Sequence, residues 1–200
     1  MGSRKTNRFV LTEDEKTRFL TEDLPDVLKW LVVGAVMWQA AEPKEKRDER
    51  CPHQRAVGMF TGLVQARALY DFYYAKKKTG DDDARASDFV KDWPRIRSKI
   101  RSGVLARYLG KPVNKRVFHA VYRRSDHSGG NRSDSGEATH LKNQVLAIAR
   151  ELLKISKEFA RHVDQKFNAE AQYALRAACN EAQTMARAYG ISIPLLAELV

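Results

Sequence analysis

Apolar residues recur along this chain at intervals of three and four, the period of an α-helix with one buried face. Leu24, Val27, Leu28, Leu31, Val32, Ala35, Val36 and Trp38 predict a largely buried helix that ends near Ala41, ahead of Pro43. Before it, Thr12-Glu13-Asp14-Glu15 has capping-box form and opens a short helix to about Thr21. Asp23 then offers a cap, with Pro25 in the first turn of the buried helix. A second long helix runs from about His53 or Arg55 to Lys78, with Ala56, Phe60, Leu63, Arg67, Tyr70 and Tyr74 on one stripe. Asp81, Asp82 and Asp83 suit the start of the next helix, Ala84 to Trp93.

Beyond Pro94, Ile96, Ile100, Val104 and Tyr108 give an imperfect stripe that Gly103 interrupts. Gly110-Lys111-Pro112 reads as a turn, and Asn114 caps a helix to about Arg124, with Val113, Val117 and Val121 on one face. Ser125 to Glu137, rich in Ser, Gly and Asp, reads as a flexible loop. Leu141, Val145, Ile148, Leu152, Ile155 and Phe159 then repeat as the seam of a bundle. Asn168 is the expected break before a last helix, Ala169 to Tyr189, capped by Gly190 and followed by an apolar tail. No segment has the period of a strand, and there is no Gly-rich phosphate loop or internal repeat. The expected fold is all-α, a bundle of about five to seven helices. Its parts are a lead with a short helix (1–23), the bundle (24–167) and a C-terminal helix with its tail (168–200).

Charge changes this picture. The chain has 200 residues and a net charge of +11, from 36 Lys and Arg against 25 Asp and Glu. Between Arg95 and Arg124 stand 10 cations and no acid, so the remainder, with 26 basic and 25 acidic residues, is close to neutral. Such a concentration favours an anionic partner, and a nucleic-acid backbone is the commonest. The competing reading is a solvated basic face that serves solubility alone. Cys51 and Cys179 lack paired metal spacing and read as reduced thiols of a cytoplasmic protein. The longest apolar run, Trp30 to Ala41, falls short of the roughly 20 residues of a membrane span, and no signal peptide or membrane partner is expected. Neither a metal nor a cofactor is called for.

Two residues stand out chemically. Arg67 interrupts an apolar stripe, either as the i, i+4 partner of Asp71 or as a functional cation. His119 lies away from the valine face of its helix, between Lys115 and Arg123. A neutral imidazole beside arginines can take the proton of a 2′-hydroxyl while the arginines stabilise a phosphorane. The same residues serve plain phosphate binding equally well, with Arg101, Arg107, Lys115, Arg123 and Arg124 as contacts.

The segments Ala66-Arg67-Ala68-Leu69-Tyr70-Asp71-Phe72, Asp82-Asp83-Ala84-Arg85-Ala86-Ser87-Asp88-Phe89 and Asn114-Lys115-Arg116-Val117-Phe118-His119 occur in that order. Over roughly residues 24–165 the chain resembles the HEPN superfamily. Its members are helical bundles, often dimeric, and many are metal-independent RNases of toxin–antitoxin and phage-defence systems. The resemblance implies an RNA partner, with DNA as the other nucleic acid to consider, a homodimer, and an antitoxin or other protein partner. The family signature is an Arg, four to six residues, then a His. His119 matches the His, while Pro112, Val113 and Asn114 occupy the positions of the Arg. The implied catalytic set is therefore His119 with Arg67 or Arg116 supplying the charge and Asn114 at the Arg position. Otherwise the domain has kept RNA binding without cleavage. A non-enzymatic helical nucleic-acid-binding or dimeric interaction protein is the alternative.

Overall fold

The computed structural model of the chain describes residues 10–40, 50–75, 83–100, 102–109 and 134–188. The fold is all-α, with no strand among these residues. Its helices are α1 (Glu13–Arg18), α2 (Leu24–Ala40), α3 (Arg50–Tyr74), α4 (Ala86–Phe89), α5 (Trp93–Lys99), α6 (Gly103–Leu109), α7 (Asp134–His162) and α8 (Gln165–Ala188). A π-helical turn, Phe19–Asp23, joins α1 to α2 without a break, so the described residues form seven separate rods.

The expected capping box is present: Thr12 Oγ1 accepts from the Glu15 N–H, and Glu15 Oε2 accepts from the Thr12 N–H at 2.7 Å. The expected stop at Thr21 and restart at Asp23 are corrected. Leu24 N–H reaches back to Phe19 O, a five-residue step, and the rod runs on through Pro25. Pro25 has no N–H, and in a straight α-helix its ring would crowd the Thr21 carbonyl. The wider turn immediately ahead of it takes up that misfit.

Leu24, Leu28, Leu31, Val32, Ala35, Val36 and Trp38 are buried as their spacing predicts, and Val27 packs partly against the core. The long seam of α7 is buried at Val145, Ile148, Leu152, Ile155 and Phe159. On α3 the predicted stripe is corrected. Phe60 is 43% exposed, and Arg67, Tyr70 and Tyr74 are only half-buried, although Leu63 is buried. The inward row is Gly58, Gly62, Ala66, Leu69 and Tyr73, one residue earlier along the helix. Small residues occupy it because α2 and α3 touch backbone to backbone. A β-carbon at Gly34 would overlap the Gly62 nitrogen and lie 2.7 Å from Gly62 Cα and 2.8 Å from Gly58 O. A β-carbon at Gly58 would lie 2.7 Å from Trp38 N.

The expected helix from Ala84 to Trp93 is instead two, α4 and α5, parted by an extended Val90. Gly103 begins a separate helix, in keeping with its expected interruption. Asp134 already lies in α7, so the last four residues of the expected loop are helical, and the rest of that loop up to residue 133 lies outside the described residues. The break before α8 falls at Val163 and Asp164 rather than Asn168. Asp164 Oδ1 accepts from the Lys166 N–H at 3.3 Å, which makes Asp164 the cap and leaves Asn168 in the first turns of α8. Gly190 and the tail beyond it lie outside the described residues.

One core joins these rods. Phe159 sits at its centre, fully buried, with Phe72, Tyr73, Phe89 and Trp93 around it. Tyr73 Oη donates to Ser156 Oγ at 2.8 Å, and Ser156 passes its own hydrogen to Leu152 O, so two buried hydroxyls satisfy one another. Among the described residues no helix is long and apolar enough to cross a membrane.

Candidate nucleic-acid interface

The basic segment enters the structure through α5 and α6. Their apolar residues turn inward: Trp93, Leu105 and Leu109 are buried, and Ile96, Ile100 and Val104 are half-buried. That orientation leaves Arg95, Lys99 and Arg107 exposed. Arg95 has 78% of its side chain exposed and lies 3.6 Å from Asp92. An exposed pair of that kind contributes little and yields readily to a phosphate.

Arg97 behaves differently. Its Nη1 donates to Tyr73 O at 3.2 Å and Tyr74 O at 2.6 Å, carbonyls at the end of α3. The Trp93 indole N–H donates to Tyr73 O as well, at 2.8 Å. A cation at a helix C-terminus also meets the negative end of the helix dipole. Arg97 is therefore a cap for α3, a role its place in a charge run conceals.

Arg67 is tied in the same manner. Its Nε donates to Asp71 Oδ2 at 2.6 Å, and its Nη1 donates to Leu109 O at 3.1 Å, the last residue of α6. The stripe it interrupts is the half-exposed flank of α3, and 27% of the side chain meets solvent. No buried charge needs explaining. The guanidinium also lies over Tyr70, which stacks on Tyr74 at 4.9 Å, and Arg97 lies over Tyr74. The result is a row of Arg67, Tyr70, Tyr74 and Arg97 in which each cation lies over a tyrosine ring and the two rings stack on each other. Burial pushes the Tyr74 phenol up to about 12, with the neighbouring Tyr70 adding to the shift, so it stays protonated and donates to Ile100 O at 3.2 Å.

The structure thus gives Arg67 its expected partner Asp71 and adds an acceptor that spacing did not reveal, Leu109 O. Removal of the arginine loses both hydrogen bonds, whereas removal of Asp71 leaves the bond to α6. Arg67→Ala is expected to lower unfolding stability by about 2 kcal/mol, within the range for hydrogen bonds to charged groups. Asp71→Ala should cost about 0.5 kcal/mol, as a partly exposed i, i+4 pair does. Urea unfolding of both variants measures the difference, and equal losses would reduce Arg67 to its ion pair.

Of the other predicted site residues, Arg107 is exposed on α6, while Arg101, Asn114, Lys115, Arg116, His119, Arg123 and Arg124 lie outside the described residues. Among the described residues no three or more His, Cys, Asp or Glu side chains gather where they could hold a metal ion. Cys179 is buried, and burial pushes its thiol up to about 11, which makes it a poor nucleophile. What α5 and α6 offer is a set of exposed cations on helices whose apolar faces pack into the core, suited to phosphate contact. Comparison of the chain with protein-family models, with curated proteins and with solved structures finds no match in any of the three.

Proposed function

We propose that the chain binds RNA through the basic segment Arg95–Arg124. The observation that carries this reading is the division of labour within its described part. Arg97 is consumed in capping α3, while Arg95, Lys99 and Arg107 face solvent from helices that carry no acid after Asp92. Three outward cations on a rigid support fit a phosphate backbone, whose binding releases counterions and weakens steeply with salt. The test is fluorescence anisotropy with single-stranded RNA between 50 and 200 mM salt, both values spanning the usual range for such work. The triple variant Arg95→Glu, Lys99→Glu, Arg107→Glu should bind at least about tenfold more weakly, with the log–log salt slope flattened by about 2. Reversal of Lys166, Arg176 and Arg187 on α8 should change binding little. Equal losses from both sets would remove the basic segment as the site.

Cleavage is the finer reading, and one observation favours it. Arg67 is bonded to the end of α6, where the chain leads on toward Asn114, Arg116 and His119. In this reading His119 is the general base and no metal takes part. His119→Ala should then slow RNA cleavage in EDTA by about 100- to 10,000-fold while leaving binding within about tenfold. Intact RNA after incubation with the wild-type protein would leave the binding reading alone.

A further inference from the structure

Between α2, α7 and α8 lies a recess of about 150 Å³ that neither the core nor the basic segment uses. Its floor is apolar: Leu28, Leu153, Ala160 and Leu175 line it, with the buried Cys179 at its base. The polar groups beside that floor are already engaged. Ser156 exchanges hydrogen bonds with Tyr73 and Leu152 O, and the Gln172 amide donates to Asn168 Oδ1. The charged residues of the lining are all cations: Lys157, Arg161 and Arg176. Arg161 is held at 3.0 Å by Glu158, whereas Arg176 is exposed and has no ion pair among the described residues. The groove on the other flank of α8 is opposite in character, with Glu22, Asp23, Asp26, Glu170 and Glu181 in its lining. The cationic rim is therefore particular to this recess and not a consequence of the net charge.

We propose that this recess is a binding site for a small aromatic or short-chain monocarboxylate, apolar end inward and carboxylate at the cationic rim. An apolar cavity of about this volume holds one benzene ring, which sets the size of the buried part. The floor supplies no partner for a polar body, and leaving a polar group there unsatisfied would oppose binding. At the rim a carboxylate meets Arg176, whose guanidinium can take both its oxygens through charge-assisted hydrogen bonds. A bare inorganic anion would reach only the rim and leave the floor empty.

The experiment uses the full chain with benzoate as the probe. Benzyl alcohol tests the ring without the charge, benzylamine the ring with the opposite charge, and formate the charge without the ring. Benzoate should raise the thermal midpoint saturably and bind at least tenfold more tightly than the other three. The variant Arg176→Glu changes one exposed side chain at the rim and should melt near the wild-type midpoint without ligand. It should lose the preference for benzoate over benzyl alcohol while still admitting the alcohol weakly. Equal binding of benzoate and formate, or an unchanged preference in the Arg176→Glu variant, would each overturn the proposal.

Discussion

Phe159→Ala is expected to destabilise the protein by about 3 to 5 kcal/mol, the range for a buried aromatic truncated to a methyl group. The ring meets four others edge-on or tilted: Phe72 at 5.3 Å, Trp93 at 5.4 Å, Tyr73 at 5.6 Å and Phe89 at 6.1 Å between centroids. Those partners come from α3, α4 and α5, so a single side chain of α7 holds three other helices. Its loss leaves a void that the rest cannot close without moving rods already tied by Arg97 and Trp93 to the end of α3. In a chain of this length the midpoint should fall by roughly 6 to 20 °C. Thermal unfolding followed by circular dichroism measures it. Tyr173→Ala, on a residue 76% exposed, should stay within about 0.5 kcal/mol of wild type.

Gly34→Val should be nearly as severe, by overpacking rather than by a void. Even a single methyl at Gly34 meets the backbone of α3 at Gly58 and Gly62, where no side-chain rotamer can give way. The two helices must then separate along their contact, at a cost of about 3 kcal/mol, the upper part of the range for forced insertion into a packed core. The internal control is Gly103→Ala. A β-carbon there meets nothing within 4 Å, so the change removes conformational freedom from the unfolded chain and should stabilise by about 0.5 kcal/mol. Opposite signs at two helical glycines, read from urea midpoints, test the backbone contact directly. A mild loss at Gly34 would mean that α2 and α3 do not meet there as described.

These glycines also mark where the sequence was legible and where it was not. The stripes of α2 and α7 could be read because large apolar side chains form them, and burial of such groups is what periodicity detects. On α3 the buried row is Gly58, Gly62, Ala66, Leu69 and Tyr73, and a search for bulk slides to the neighbouring row that holds Phe60, Tyr70 and Tyr74. That slip made Arg67 look like a charge inside the core. Two glycines four apart in a helix were the available signal, since a helix accepts that cost only for a close approach. Local chemistry misled twice more. Asp23 and Asn168 each have the form of a helix boundary, but the π turn carries one rod past the first, and Asp164 had already capped α8 before the second. In the candidate interface, the exposure of Arg107 follows from its charge and spacing. The capping by Arg97 does not, because its acceptors at Tyr73 and Tyr74 are more than twenty residues away in sequence.

The π turn at Phe19–Asp23 has a consequence for how this rod tolerates insertion and deletion. Such a turn accommodates an extra residue within a helix, and each residue of an α-helix advances the azimuth by about 100°. Excision of one residue between Phe19 and Asp23 would close the wide turn into an ordinary α-helical one and leave the rod before it at nearly its present azimuth, whereas a deletion elsewhere in α1 would swing what precedes it by roughly that angle. Phe19, which packs on Phe72 and Phe89, and Glu13, which pairs with Lys166 at the start of α8, would keep their directions in the first case, and Glu13 would lose its own if the deletion fell between it and Arg18. The rod can therefore lose one residue at this turn at little cost to the azimuth of α1 against α8, and at no other place along α1.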